Sequence, residues 1–332
     1  MRSSDRVPLI RAAVLEPFIQ VADRTGTPVG KLLRSVRLPS EPIEDAGLLL
    51  LETACWQFIH SVVTKEGIPN FGLIAANRVT FPQLAELVSL THGCSNLFDV
   101  LKRFCAVAPL FTNKAVFVLE GTADHVWFSQ KGKPLVDDYA QVHLFQVLGM
   151  IQLVQLAAGP QWRPEEIHFS FARKTEVEYA GELNPSRIRF GKPYPSIAVP
   201  RHLLSLPLRG AGTSRTSKTG FAPIPEAFSD GLRQALTPYL GEEKPNKIVI
   251  AEALGVSPRT LHRRLADEHT SYSEILDQTR LMRAAALLKE TDMKLLDITL
   301  MLGYENASSF TRAFRRWAGI SPRDYRHLQP GG

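Results

Sequence analysis

A chain of 332 residues, 44% hydrophobic and 22% charged, has the length of two domains that can each bury a core, and a composition ordinary for a soluble protein. Its formal charge of +6 permits a polyanionic partner without demanding one. Three cysteines (Cys55, Cys94, Cys105) with no CxxC spacing argue against a disulfide framework or a zinc ribbon, and residues 1–17 hold no apolar stretch of the signal-peptide kind, so a reduced cytoplasmic chain is expected. Leu9–Asp23 reads as a helix broken or kinked at Pro17, Pro28–Ser35 as a short helix, and Gly47–Lys65 as a longer one with Leu51, Ala54, Cys55, Phe58, Ile59 and Val62 at helical spacing. Helices are expected at Leu84–Leu90 and at Leu97–Ala108, the second capped by Ser95 or Asn96. The period then changes from 3.6 to 2. Lys114–Glu120, a turn at Gly121–Asp124 and His125–Gln130 read as a β-hairpin. Asp137–Ala158 returns to helix, with two acids in its first turn to suit the helix dipole. Its most apolar part, Val142–Ala158, is interrupted by three glutamines and is short for a bilayer span, so it reads as a core helix. Ile167–Phe171, Arg187–Phe190 and Ile197–Val199 are short strands. The expected architecture is α+β, with helices covering one face of a small sheet.

Leu208–Pro225 is rich in Gly, Ser, Thr and Pro and carries Arg209, Arg215 and Lys218 without an acid, the composition of an interdomain linker. The chain therefore divides into a regulatory region at 1–208, a linker at 209–225 and an all-α region at 226–332. Glu226–Leu240 opens the last region as a helix with Leu232, Ala235, Leu236, Tyr239 and Leu240 facing in. Residues 246–267 and 295–317 then repeat one layout, a helix, a Gly turn and a second helix, with Gly255 and Gly303 in matching places 48 residues apart. Ser257-Pro258 is an N-cap followed by Pro at the first helical position, and Asn306 is the N-cap of the later helix. Leu261 and Leu265 form the buried stripe of one second helix, and Phe310, Phe314 and Trp317 that of the other. At about 100° per residue, Arg259 and Arg263 point away from the first stripe, with Thr260, His262 and Arg264 beside them. Ser308, Arg312 and Arg315 oppose the second stripe, with Arg316 alongside. Tyr272–Lys289 joins the motifs as one helix, apolar at Ile275, Leu276, Leu281, Ala284, Leu287 and Leu288.

These residues carry a resemblance. Arg280-Leu281-x-x-Ala284, Leu288, Leu295-x-x-Ile298, Gly303-Tyr304, Phe310, Phe314, Gly319, Ser321-Pro322 and Tyr325-Arg326 resemble the C-terminal DNA-binding domain of the AraC/XylS family of bacterial transcription regulators. Two positions depart from that pattern. Thr299 stands where the family usually has Ala, and Lys294 where a Ser or Thr cap is common. The region from Leu33 to Leu208 resembles the regulatory domain of one subgroup of that family, related to ornithine-utilisation and lipid-responsive regulators, through the helix before Gly72, the Leu97–Ala108 helix, the hairpin, Ile188-Arg189-Phe190-Gly191 and Pro207-Leu208. Such domains are often labelled arabinose-binding, but no residue here identifies a sugar.

The resemblance implies a sequence-specific DNA-binding regulator whose two recognition helices enter successive major grooves, roughly 34 Å apart. Arg259, Thr260, His262, Arg263, Arg264, Ser308, Thr311, Arg312, Arg315 and Arg316 are the residues expected at DNA, some on bases and others on phosphates. The charge supporting this is local. From residue 229 onward 15 Lys/Arg stand against 13 Asp/Glu, a surplus of only +2, so the basic character lies on two helix faces. RNA polymerase is an expected partner of an activator. The regulatory region is expected to take a small-molecule effector in a pocket between sheet and helices, at Phe104, Phe111, Phe117, Trp127 and Phe145, with homodimerisation as a second role and no membrane partner. No catalytic residue, metal ligand set or cofactor motif emerges. His92 with Cys94 lacks a second ligand pair, and Cys55 and His60 face different sides of one helix, which leaves a thiol-based enzyme as the weakest reading.

Overall fold

The computed structural model describes residues 6–39, 45–68, 70–78, 93–132, 139–174, 177, 180–208, 221–241 and 245–328. The helix expected at Leu84–Leu90 and most of the linker at 209–225 lie outside them. The chain forms two compact units, one of Pro8–Leu48 and Glu52–Ile224, the other of Pro225–Gly332 with Met1–Val7 and Leu49–Leu51.

The first unit is α+β. Its helices are α1 (Ala12–Arg24), α2 (Val29–Ser35), α3 (Glu52–Glu66), α4 (Phe71–Arg78), α5 (Leu97–Val107) and α6 (Ala140–Ala158). Short strand β1 (Leu9–Arg11) precedes α1, and the strand that precedes α3, β2 (Leu49–Leu51), is grouped with the other unit. Helix α1 runs through Pro17 without a break, with Pro17 itself buried. The run Leu49–Leu51 is strand rather than the start of the helix expected from Gly47, since three apolar residues fit either period and the helix begins only at Glu52. Asn96, not Ser95, caps α5 by accepting from Asp99 N.

Five strands, β3 (Val116–Gly121), β4 (His125–Lys131), β5 (Glu166–His168), β6 (Arg187–Arg189) and β7 (Ser196–Pro200), form a sheet of order β3-β4-β7-β5-β6. All neighbours are antiparallel except β5 and β6. Phe117 on β3 and Phe128 on β4 turn to the helices, and both meet Phe104 of α5, with ring centroids 4.8 and 5.8 Å away. Helix α6 is 19 residues long and apolar enough by length and composition to cross a bilayer, a longer element than Val142–Ala158. Yet Leu144, Val147, Leu148, Ile151, Leu153 and Val154 all sit in the core of this unit, so burial within the protein already accounts for its hydropathy.

The second unit is helical, with α7 (Phe228–Leu236), α8 (Lys247–Ala253), α9 (Pro258–Asp267), α10 (Tyr272–Glu290), α11 (Leu295–Met301), α12 (Ala307–Ala318) and α13 (Pro322–His327). Both motif turns have the same hydrogen bonds. Val256 N donates to Ala251 O and Gly255 N to Glu252 O at 2.9 Å each, while Tyr304 N donates to Thr299 O at 3.1 Å and Gly303 N to Leu300 O at 2.9 Å. This double closure of a helix end needs one residue in the left-handed region, and Gly255 and Gly303 supply it at φ +67° and +74°. Thr299 is fully buried, and its hydroxyl donates to Leu295 O at 2.7 Å, so the departure from Ala leaves no orphaned polar atom. Lys294 makes no side-chain cap, as its residue type requires.

Substituting Gly255 by Ala tests the turn. An added Cβ meets nothing within 4 Å, so the cost is the left-handed backbone alone, about 1–2 kcal/mol. Thermal melting of the helical unit should fall by roughly 4–8 °C per kcal/mol. An unchanged melting point would mean that the turn does not depend on φ.

Candidate nucleic-acid interface and effector cavity

Helix α10 holds the two motifs of the second unit. Its own start is a capping box, Ser271 accepting from Glu274 N and Glu274 accepting from Ser271 N at 2.8 Å. Buried Arg280 donates from Nε to Leu302 O at 3.3 Å, at the end of α11, and lies 5.0 Å from the Tyr304 ring. Arg326 of α13 donates from Nη2 to Met293 O at 2.6 Å and from Nε to Leu288 O at 3.4 Å. On the other side, Glu268 accepts from Phe228 N and Ser229 N at 2.9 and 2.8 Å and so caps α7. Burial works to raise the Glu268 carboxyl, but the hydrogen bonds from Ser229 and Phe228 outweigh it and leave it below the usual range.

On α9, Ser257 accepts from Thr260 N at 3.1 Å, Leu261 and Leu265 are buried, and Arg259, His262 and Arg263 are exposed. On α12, Asn306 accepts from Ser309 N at 2.9 Å, Phe310, Ala313 and Phe314 are buried, and Ser308, Arg312 and Arg315 are exposed. Each helix thus pins an apolar stripe to the core and turns guanidinium groups outward. Thr260 and Thr311 are half-buried at the edges of those faces.

Three residues sit differently from the sequence reading. Arg264 turns inward. It is half-buried, with its guanidinium 5.4 Å from the Phe228 ring, because its position on α9 faces α7. Arg316 is exposed but pairs with Asp277 of α10 at 3.1 Å, which ties α12 to the central helix. Trp317 is half-buried rather than buried, packed at the edge of the core beside Tyr304 with ring centroids 6.4 Å apart. Arg280 and Arg326, read from the sequence only as pattern residues, prove to be struts on helix-end carbonyls. Arg280's place on an otherwise apolar helix face was the available signal.

The first unit contains an apolar cavity of about 140 Å³. Phe104, Phe111, Phe117 and Phe145 line it, together with Trp56, Glu52 and Gln146. Trp127 does not. Strand alternation puts its neighbour Phe128 on the inner face, and Trp127 stacks on His168 with centroids 4.3 Å apart. The pattern His-Val-Trp-Phe-Ser-Gln carried that information. Buried Glu52 at the start of α3 was missed, although an acid within the Leu50–Phe58 apolar run marked it. Its Oε1 accepts from Trp56 Nε1 at 3.2 Å and its Oε2 from Thr112 Oγ1 at 3.4 Å. Burial raises this carboxyl to about 7, against those two hydrogen bonds and the Lys114 ammonium. Burial likewise pushes the Cys55 thiol far up and the Cys105 thiol to about 11, which disfavours the thiolate a thiol enzyme needs. Among the described residues no cluster of His, Cys, Asp and Glu could hold a metal, and His92 lies outside them.

Two helix-turn-helix motifs with basic outer faces, joined through one central helix, define the class of double-motif DNA-binding proteins. Comparison with known proteins agrees. Residues 250–327 match a helix-turn-helix domain family, and residues 26–208 match the family described as the arabinose-binding domain of AraC transcription regulator. The chain is 42% identical over 329 residues to the ornithine utilization regulator of Pseudomonas aeruginosa, covering 96% of each. It is 25% identical to the transcriptional regulator VirS of Mycobacterium tuberculosis, again over 96% of each chain. Among solved structures, the transcriptional regulator CdpR from P. aeruginosa covers 91% of this chain and 97% of its own, at 21% identity and a TM-score of 0.38. The chain belongs to the AraC family of transcription regulators and is a sequence-specific DNA-binding transcription factor.

Arg263→Ala and Arg312→Ala are expected each to weaken specific binding by about 1–3 kcal/mol, with much smaller losses on random duplex. Equal losses on both would reassign these arginines to phosphates. Arg264→Ala should instead lower the melting temperature, since its stem and guanidinium cover Phe228. Titration on both duplexes beside thermal melting separates the two roles.

Proposed function

We propose that this cytoplasmic regulator reads two major-groove segments through Arg259, His262 and Arg263 of α9 and Ser308, Arg312 and Arg315 of α12, and that a small molecule bound in the cavity of the first unit controls that reading. The observation supporting control is a single buried arginine. Arg11 donates from Nε to Leu110 O at 2.6 Å and from Nη1 to Gly47 O at 2.5 Å, and also hydrogen-bonds Ala222 O. Its guanidinium lies 4.2 Å from the Phe221 ring, which in turn meets Phe111 edge-on with centroids 5.6 Å apart. Phe111 and Ile10, the latter adjacent to Arg11, line the cavity. A ligand pressing on that wall therefore acts on the tie holding Phe221–Ala222, the segment through which the chain leaves for the DNA-binding unit. Binding shifts regulation only if the states with this tie made and broken differ in ligand affinity.

RNA polymerase is the partner in this reading if the protein activates, and self-association through the first unit would pair two such double motifs on one operator. The chain acts as a regulator and not as an enzyme; the raised thiols and the relatives' shared regulatory role support this.

Gly149 of α6 lines the cavity, and a Cβ built there meets nothing within 4 Å. Gly149→Leu should fill the space while improving helix propensity by up to about 1 kcal/mol. We expect this variant to keep its fold and its DNA affinity and to lose its response to cell-extract metabolites in a promoter reporter. A variant that still responds like the parent would remove the cavity from the regulatory pathway and favour an upstream module that binds protein alone.

A further inference from the structure

The polar groups in this cavity select among ligands, and the inference rests on the reading of the cavity as the effector site. Its lining is almost wholly apolar, with five aromatic side chains. A dry cavity near 150 Å³ takes a benzene-sized body, so about six to eight apolar atoms fit here. The polar exceptions are Glu52, Thr112, Gln146 and Gln152. Glu52 is the one acid among the lining residues; it and Gln146 both also line a smaller chamber of about 30 Å³ that shares Trp56, Ala115 and Val142 with the first. Among the described residues nothing donates to Gln146 Oε1, which is buried. A buried acceptor left in this state costs roughly 1–3 kcal/mol, and a ligand that donates to it recovers that cost. Glu52 keeps lone pairs beyond the two taken by Trp56 and Thr112. The wall therefore offers two acceptors, the Glu52 carboxyl and Gln146 Oε1, beside the amide N–H donors of Gln146.

We propose that the cavity binds an amphiphilic amine, its apolar body among Phe104, Phe111, Phe117 and Phe145 and its protonated amino group on the Glu52 carboxylate and Gln146 Oε1. An ammonium supplies three donors and also gains from the aromatic faces around it. A carboxylate of the same shape meets the like charge of Glu52 at that wall and finds donors only in the Gln146 amide and in Lys114, which lines the smaller chamber.

The cation has to meet an ionised Glu52, so binding releases the proton this carboxyl holds. With the free carboxyl raised to about 7, affinity should increase by about tenfold from pH 6 to pH 8 and level off above. The other groups around Glu52 do not reverse that sign. Burial lowers His143 on α6 to about 4, so it is neutral across this window. The Cys55 thiol on α3 is pushed far up and stays neutral as well. Lys114 acts on Glu52 by lowering its carboxyl, and Tyr139 lines the small chamber.

The test uses the full-length protein and three probes of one shape, 2-phenylethylamine, 2-phenylethanol and 3-phenylpropionate, titrated by calorimetry at pH 6 and pH 8. The amine should bind most tightly and more tightly at pH 8, and Gly149→Leu should abolish its binding. Glu52→Gln should weaken it at least tenfold and remove the pH dependence. Gln146→Leu, checked by melting as Glu52→Gln is, should weaken it several-fold at both pH values. Preference for the acid or the alcohol, blocked by Gly149→Leu, would overturn the amine assignment while leaving the effector cavity standing. Amine binding indifferent to Gly149→Leu, or no binding by any probe, would overturn the assignment as well.

Discussion

Two helix ends in this protein close on a glycine in the left-handed region, and the DNA-binding unit depends on both. At Gly255 and Gly303 the chain must stop one helix, turn and start the next within a few residues, and only a positive φ lets the last carbonyls accept from the two amides that follow. The turn fixes where the second helix begins, and the cap at Ser257 or Asn306 fixes its first turn. Once direction and start are set, the 3.6-residue period decides which side chains go inward. Leu261 and Leu265, or Phe310 and Phe314, enter the core, and arginines one or two residues away have no route except outward. The basic faces follow from backbone closure and burial, without any large surplus of charge.

That logic explains what was legible in the sequence. Glycine, cap and apolar stripe are local signals, so both motifs could be read down to single residues, including the N-caps. Side chains whose partners lie far along the chain were read less well. Arg264 has the same residue type as Arg259 and Arg263 on α9, and only the position of Phe228 on another helix turns it inward. Arg316 is held by Asp277, 39 residues away. In the first unit the hairpin was plain from its period, whereas Glu52 reads as an ordinary helix-start acid until Trp56, Thr112 and the cavity are brought around it; the strand at Leu49–Leu51 carried no period. The alternation that removes Trp127 from the cavity was present in the strand and needed only to be counted.

The two units use buried charge for different ends. Arg280 donates to the carbonyl of Leu302 at the end of α11, and Arg326 to Leu288 near the end of α10 and to Met293 in the turn before α11, all within the DNA-binding unit. Arg11 does the same for Leu110, Gly47 and Ala222, but one of those carbonyls lies in the segment leading out of its unit. Glu52 is the opposite case, an acid in an apolar wall whose charge has no full partner among the residues around it. A fold carries such a group at a cost, and in this protein it faces a cavity.

Duplexes selected by the full-length protein from a random pool can be probed for protection of guanine N7, the major-groove atom that arginine reads. Two clusters of protection, separated by about 10 base pairs on one face of the duplex, are the pattern expected of two recognition helices held by a single central helix. Protection confined to one cluster, or absent from N7 altogether, would contradict a reading in which both α9 and α12 enter the major groove.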